Sequence, residues 1–337
     1  MILELFLLIL GLGMLVRGAD FFVDSASAIA KKLGISEFVI GLTLVAIGTS
    51  IPELASSIAA ALKGSSEIII GNIVGSNITN IGLIVGVAAS ITIIKVDKEM
   101  LSRDGYIMLF ATFLFYFFGI GGFISRTQST IFLVIYFLYI IILLSRKHKF
   151  NFKKMIDHPF NMLFLKKKNG KYIFKYAMNE KKLKKFDKLL LKNLGIFFIS
   201  GGAVIYGANL LINNAIYFAN LLKISETVIG LTLIALGTSL PELTVTISAA
   251  RKGHVNIAIG NVIGSNIANI LLVLGISGFL FPLQVQEATL KLSGSFMLFI
   301  SILLLFFIRT EWKIRRWEGI ILLMLYLLFV IASFFFL

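Results

Sequence analysis

A phrase of ten residues occurs twice in this chain in nearly the same form: GTSIPELASS at 48–57 and GTSLPELTVT at 237–246. The two copies are 189 residues apart, and the same spacing relates GNIVGSNITN at 71–80 to GNVIGSNIAN at 260–269. A fixed spacing over segments of this length is the signature of an internal duplication. We therefore expect the chain to fold as two copies of one structural unit.

Each copy is too apolar for a soluble domain. Hydrophobic residues make up 58% of the 337 residues, and the mean hydropathy is +0.95. A membrane-spanning helix needs about 20 mainly apolar residues, and ten segments are candidates, five on each side of a lysine-rich stretch at 146–192. The sequence therefore predicts an all-α integral membrane protein. Its ten predicted transmembrane helices are 2–28, 36–62, 67–90, 104–119, 128–145, 193–221, 225–251, 255–279, 290–308 and 316–336.

The two copies are predicted to cross the membrane in opposite directions. Five helices is an odd number, so the second copy enters from the side opposite to the first, as an inverted-topology repeat. The predicted organisation is a first membrane repeat at 1–145, a basic loop at 146–192 and a second membrane repeat at 193–337. The first apolar run has a counterpart in the second repeat, so we interpret it as a permanent span and not as a signal peptide.

The net charge of +15 is interpreted as a topology signal. If the N-terminus is outside, 27 of the 32 Lys and Arg residues lie on the cytoplasmic side, sixteen of them in the loop at 146–192. This positive-inside pattern predicts a multi-pass protein of the cell membrane with both termini extracellular and the loop cytoplasmic. The lipid bilayer is the expected partner, and nucleic acid is not. We interpret the loop as a solvated connector, with contact to anionic lipid headgroups as the alternative.

Glu53 and Glu242 lie near the middle of apolar segments, at equivalent positions of the two copies. A charged residue there costs roughly 2.5–3.5 kcal/mol or more, so two of them among hydroxyl residues are typical of a transport site. Pro52 and Pro241 precede them directly. A proline inside a helix removes one hydrogen bond and displaces the carbonyl four residues back, which is expected to free main-chain oxygens around 46–49 and 235–238. Broken helices that present carbonyls beside a carboxylate coordinate cations in transporters.

Hydroxyl and amide side chains are predicted to complete the oxygen donors. Thr49 and Ser50 precede Glu53 by four and three residues, so all three share a helix face. The same four-residue spacing pairs Ser76 with Asn80 and Ser265 with Asn269. Four further asparagines either bridge helices or contact an ion: Asn72, Asn77, Asn261 and Asn266. Four glycines are interpreted as positions of close helix packing: Gly71, Gly75, Gly260 and Gly264.

This donor set suits Ca²⁺ or Na⁺ and argues against zinc or copper. The chain has no cysteine, which excludes disulfides and thiolate metal sites. Two carboxylates balance one Ca²⁺ or two Na⁺, which is a physical basis for exchange. The same carboxylates can bind protons, so low pH is expected to compete with cation binding.

At these residues the chain resembles the sodium/calcium exchanger family of the calcium/cation antiporter superfamily, in particular its compact prokaryotic members. The two pairs of motifs at 48–57 with 71–80 and at 237–246 with 260–269 match the two alpha repeats of that family. The resemblance implies a ten-helix membrane protein that exchanges Na⁺ for Ca²⁺ by alternating access. In that mechanism the first and sixth helices move against the bundle that carries the motifs.

The resemblance also implies a cluster of four cation positions and a role for each matching residue. Ca²⁺ would be held by Thr49, Glu53, Thr238 and Glu242, with the threonines contributing main-chain carbonyls. Na⁺ would be held by Ala46, Ser50, Glu53, Ser76, Ala235, Thr238, Ser239, Glu242 and Ser265, with Asn80 and Asn269 at the centre. These residues bind transported ions, so neither a cofactor nor a catalytic residue is expected.

Position 269 separates branches of the superfamily. Some microbial members and the potassium-dependent branch carry aspartate there, whereas this chain has Asn269, which implies K⁺-independent transport. The nearest alternative is a Ca²⁺/H⁺ antiporter on the same scaffold, and a gated cation channel is another. An intramembrane enzyme is disfavoured because the sequence offers neither a nucleophile–base pair nor a cluster of metal-ligating histidines. Lipid-facing apolar surface resembles interface surface, so the sequence predicts no oligomeric state.

Overall fold

The structure, a computed structural model, describes residues 2–62, 64–96, 98–146, 167–168, 171–172, 180–221 and 235–336. Most of the basic loop predicted at 146–192 lies outside the described residues, as does 222–234, where the seventh predicted helix begins. Within the described part, the principal helices are α1 Ile2–Leu33, α2 Glu37–Thr49, α3 Ile51–Leu62, α4 Ser66–Ile91, α5 Tyr106–Gly119, α6 Arg126–Arg146, α7 Glu180–Leu221, α8 Ala235–Thr238, α9 Leu240–Arg251, α10 Val255–Leu280, α11 Glu287–Glu311 and α12 Arg316–Phe336.

Seven helices in the described ranges are long and apolar enough to cross a membrane. Helices α2 and α3 make an eighth span when they are counted together, since they meet at a bend of 41°. The prediction of an all-α membrane fold is confirmed, whereas the count of ten spans is not. The two missing spans fall at α5, which is preceded directly by the charged residues Arg103 and Asp104, and at α8–α9, whose preceding residues are not described.

The duplication in the sequence is visible as a duplication of elements. Helices α3 and α9 have the same length and lie 189 residues apart, and the same holds for α4 and α10. Both α4 and α10 contain a π-helical segment at the same place, Asn80–Val85 and Asn269–Leu274. π-bulges inside α-helices are frequent at functional sites. The first residues of the two segments, Asn80 and Asn269, are the predicted central asparagines.

Short antiparallel strands join the two halves. The connector strand Ile94–Lys95 pairs with Lys313–Ile314, and Phe123–Ile124 pairs with Leu283–Gln284. Each pair takes one strand from the first half and one from the second. A third pair, Lys167–Lys168 with Lys171–Tyr172, is local.

Helices α4 and α10 form the centre of the protein, and the other long helices surround them. The most apolar window of α10 is 94% buried and that of α4 is 72% buried, whereas the corresponding value for α1 is 22%. The peripheral helices α1, α6, α7 and α12 present large apolar side chains outward, as expected of helices that face lipid. The motif-bearing breaks α2–α3 and α8–α9 pack against this central pair.

Candidate cation site

Each copy of the ten-residue motif lies at a break between two helices. Ser50 separates α2 from α3, with φ −84° and ψ 8°, and Ser239 separates α8 from α9, with φ −90° and ψ 3°. Pro52 and Pro241 follow in the first turn of the new helix, where a missing N–H costs no helical hydrogen bond. The break thus precedes the proline by two residues.

The break determines which main-chain oxygens are released. The carbonyl of Ala46 accepts the N–H of Ser50 at 3.0 Å and the hydroxyl of Thr49 at 3.3 Å, so it keeps its helical partner. Because Pro52 has no N–H, the carbonyl of Gly48 has no donor four residues ahead. The carbonyl end of α2 and the N-terminal end of α3 therefore meet at one point, and the equivalent ends of α8 and α9 meet at another.

Glu53 and Glu242 are buried, with 1% of each side chain's surface exposed. Both lie in the first turn of their helices, where the helix dipole favours a negative charge. The negative end of the preceding helix favours a cation at the same place. Each break therefore places a carboxylate beside the carbonyl end of the preceding helix, as the sequence predicted, but the predicted release of main-chain oxygens does not include Ala46.

Hydroxyl groups connect the two motifs across the centre of the protein. Ser50 donates to Oε1 of Glu242 at 3.1 Å, and Ser265 donates to the same oxygen at 3.5 Å. The hydroxyls of Ser239 and Ser76 are 3.3 Å apart. The helix-face argument placed Ser50 beside Glu53 of its own repeat, whereas the structure places its hydroxyl on the glutamate of the other repeat.

Asn72 and Asn261 form two equivalent bridges between the repeats. Asn261 donates to the hydroxyl of Thr246 at 3.0 Å and accepts from the hydroxyl of Thr49 at 3.1 Å. In the same way, Asn72 donates to the hydroxyl of Ser57 at 3.0 Å and accepts from Thr238 at 3.4 Å. Of the two interpretations that the sequence left open for these asparagines, the structure shows bridging. Each one ties the helix after one break to the threonine before the other.

Four buried oxygen atoms of the site have no hydrogen-bond partner in the described part of the protein: Glu53 Oε2, Glu242 Oε2, Asn80 Oδ1 and Asn269 Oδ1. They form two pairs of equivalent positions. Buried polar atoms are normally paired, and an unpaired carboxylate oxygen is especially costly to bury. Carboxylate and amide oxygens are ligands that Ca²⁺ prefers. The unpaired set is thus what a site for a hard cation requires.

The central amides are only partly connected to each other. Asn80 donates to Oδ1 of Asn266 at 3.1 Å, and Asn266 contacts the sulfur of Met108 at 3.6 Å. Neither amide atom of Asn77 has a partner among the described residues, although the side chain is only 1% exposed. Asn80 and Asn269 therefore lie within the polar centre, as predicted, with their oxygens uncommitted.

Close helix packing holds this centre together. A Cβ atom on Gly264 would lie 2.5 Å from the carbonyl oxygen of Leu42 and 2.7 Å from Cβ of Ala46. A Cβ atom on Gly260 would lie 2.7 Å from the carbonyl oxygen of Phe38. The packing role predicted for these two glycines is confirmed. For Gly71 and Gly75 it stays a prediction, because the segment equivalent to α2 begins outside the described residues.

The structure brings predicted site residues of the two repeats together around the breaks, and their roles as ion ligands stay predictions. Ala235 begins α8, and its role stays a prediction. Thr238 is half-buried and its hydroxyl faces Asn72. Sequence reasoning missed Ser57 and Thr246, although a signal was present, since both copies carry a hydroxyl at this position. Among the described residues, no three His, Cys, Asp or Glu side chains lie close enough together to hold a metal ion.

Comparison with known proteins gives consistent matches over the whole chain. The family described as "Sodium/calcium exchanger protein" matches residues 3–145 and 192–335. The sodium/calcium exchanger MaX1 of Methanosarcina acetivorans is 47% identical, with 98% of each chain covered. The uncharacterized membrane protein MJ0091 of Methanocaldococcus jannaschii is 36% identical, with 96% of each covered. Among solved structures, the sodium-calcium exchanger NCX_Mj soaked with Na⁺ and Ca²⁺ superimposes with a TM-score of 0.79, at 32% identity over 99% of each chain.

Proposed function

Since the chain belongs to the sodium/calcium exchanger family, we propose that it is a secondary active antiporter that exchanges Na⁺ for Ca²⁺ by alternating access. The observation that carries the proposal is the pair of equivalent buried glutamates at the two helix breaks, each with one oxygen unpaired. Members of this family are transporters and not enzymes, so the site binds ions and returns them unchanged.

The two carboxylates provide the coupling. Moving an ion from water into a protein interior costs several kcal/mol even after relaxation. With Glu53 and Glu242 both buried and no cation present, two such penalties add to their mutual repulsion. One Ca²⁺ or two Na⁺ neutralises the two negative charges. The empty carrier therefore crosses to the other state with difficulty, and the loaded carrier crosses readily, which enforces exchange.

The proposed ligands are those that the resemblance of the two motifs to the family's alpha repeats implies, and the unpaired oxygens of Glu53, Glu242, Asn80 and Asn269 support them. Ca²⁺ is held by the carboxylates of Glu53 and Glu242 with the main-chain carbonyls of Thr49 and Thr238. Na⁺ ions occupy flanking positions lined by Ala46, Ser50 and Ser76 on one side and by Ala235, Ser239 and Ser265 on the other. Asn80 and Asn269 line the middle. The contacts of Ser50 and Ser265 with Glu242 support this grouping.

The proposed architecture has ten transmembrane helices in two inverted repeats, at 1–145 and 193–337, joined by a cytoplasmic loop at 146–192. Both termini are extracellular, and the protein lies in the cell membrane. Support comes from the elements that recur at one spacing of 189 residues. The moving part is the pair α1 and α7, which pack along each other at the periphery.

Uptake of ⁴⁵Ca²⁺ into proteoliposomes tests this function. Vesicles loaded with Na⁺ are compared with vesicles loaded with K⁺ or choline at equal pH. We expect uptake only with internal Na⁺, and we expect no change when K⁺ is added to the Na⁺-loaded vesicles, because Asn269 leaves the site without a third carboxylate. Uptake that ignores Na⁺ and follows an imposed pH step would instead establish the Ca²⁺/H⁺ alternative.

A further inference from the structure

A groove of about 290 Å³ follows the outer face of the seam between α1 and α7. Its walls are apolar, with Met14 and Phe21 from α1 and Ile196, Ile199 and Ala203 from α7. Two polar side chains also line it. Ser200 donates its hydroxyl to the carbonyl oxygen of Ile196 at 2.6 Å, so its hydrogen is used within the helix, and Arg17 remains as the polar group that faces the groove.

Arg17 is an exposed cation that no other residue in the described part of the protein pairs with. It has neither a hydrogen bond nor an ion pair with any described residue. The two carboxylates that follow it on α1 are engaged elsewhere. Asp24 lies 2.8 Å from the ammonium of Lys252, and Asp20 accepts the hydroxyl of Ser248 at 2.6 Å. The guanidinium is therefore free to bind an anion from outside the protein.

The position of Arg17 along α1 places it close to the edge of the bilayer. Large exposed apolar side chains on α1 run from Ile2, 88% exposed, to Phe21, 58% exposed, and the next is Leu33 at the end of the helix. Twenty residues of helix span about 30 Å, which matches the hydrocarbon core. Arg17 lies one turn, about 6 Å, inside the edge of this band. A long arginine side chain reaches the headgroup region from that depth.

The geometry points to a binding site for one anionic phospholipid. Its phosphate pairs with the guanidinium of Arg17, since arginine binds phosphate through parallel hydrogen bonds. One acyl chain lies in the apolar groove against Ile196 and Ile199. The equivalent position in the second half of the chain is Tyr206, which carries no charge, so the site occurs once and on one leaflet. The site lies on the outer surface of the protein, away from the buried glutamates, and does not depend on which ions are transported.

Native mass spectrometry of the purified full chain tests the site. The protein is titrated with phosphatidylglycerol or with phosphatidylcholine of the same acyl chains. We expect one phosphatidylglycerol to be retained in preference to phosphatidylcholine. Arg17→Gln is expected to weaken that first binding event about tenfold, as for the loss of a hydrogen bond to a charged group. Equal retention of the two lipids by the wild type would overturn the proposal.

Two further variants separate a site from general surface charge. Arg251→Gln removes an exposed arginine at the end of α9, on the same predicted side of the membrane and outside the groove, and is expected to retain the lipid. Ala203→Phe fills the groove while Arg17 stays, and is expected to lose the lipid. Equal losses in Arg17→Gln and Arg251→Gln, or full retention in Ala203→Phe, would overturn the proposal. The Ala203→Phe variant also serves if Arg17→Gln does not fold.

Discussion

Glu242→Gln separates the charge of the site from its shape. Glutamine is isosteric with glutamate and keeps an Oε1 atom that can accept the hydroxyls of Ser50 and Ser265, which lie 3.1 and 3.5 Å away. What changes is the charge of a carboxylate that is 1% exposed, and in the proposed site this carboxylate balances half of the charge of a bound Ca²⁺. Breaking a buried charge pair costs about 3–5 kcal/mol. At 1.4 kcal/mol for each factor of ten, the Kd for Ca²⁺ should rise by about two to three and a half orders of magnitude.

The assay is thermal unfolding of the purified protein with and without Ca²⁺. At a Ca²⁺ concentration of about 100 times the wild-type Kd, binding stabilises the wild type by about 2.7 kcal/mol. At the same concentration a variant with a Kd at least 100-fold higher gains at most about 0.4 kcal/mol. Without cations, Glu242→Gln should unfold at a higher temperature than the wild type, because one uncompensated buried charge is gone.

The matched control is another buried glutamate. Glu318 is 2% exposed and accepts the N–H of Arg315 at 2.7 Å at the start of α12, away from the motifs. Glu318→Gln should lose about 1 kcal/mol of stability and keep the full protection by Ca²⁺. If Ca²⁺ protects Glu242→Gln as strongly as the wild type, the assignment of this carboxylate to the ion is refuted.

Three more variants test the neighbouring contacts. Ser50→Ala removes a hydrogen bond to a carboxylate, so the half-saturating Na⁺ concentration for Ca²⁺ uptake should rise about tenfold. The control Ser90→Ala loses only a bond to its own helix and should leave this concentration unchanged. Asn261→Ala breaks the hydrogen bonds of a fully buried side chain to Thr246 and Thr49 and should lower the free energy of unfolding by about 2–3 kcal/mol. A smaller loss of stability than that of Ser90→Ala would contradict the bridging role. Gly207→Ala puts a Cβ 2.8 Å from the backbone of Gly11 and Leu15, so it should slow exchange without changing the Kd for Ca²⁺. The control Gly202→Ala meets no atom within 4 Å and should have no effect. Equal exchange rates in the two variants would argue against movement at this contact.

The repeated spacing by itself predicts the two helix breaks, the buried glutamates and their hydroxyl-rich surroundings. It does so because a duplicated sequence repeats its local structure, and the prolines mark where each helix restarts. The partner of Ser50 was not predictable in this way. Side-chain spacing reports which residues share a face of one continuous helix, but Ser50 is the residue at which the helix is interrupted. Its hydroxyl consequently leaves the face of α3 and reaches the other repeat.

Contacts between the two halves were the least accessible to sequence reasoning. The bridges of Asn72 and Asn261 join residues that are 166 and 212 positions away, and no local pattern identifies such partners. The count of spans also exceeded what the described residues show. Helix α5 continues the π-helical segment Leu101–Gly105, as α11 contains Leu290–Gly294, but the segment before α5 carries Arg103 and Asp104, so the apolar stretch is short.

The two strand pairs between the halves bear on how this protein assembles. Each of the two pairs draws one strand from either half, and the asparagine bridges do the same at the centre. These contacts are made by the surfaces of the halves themselves, so two separate polypeptides, one ending after α6 and one beginning at α7, would carry both sides of each of them. A single-chain exchanger of this kind is in that sense a dimer whose subunits share one reading frame.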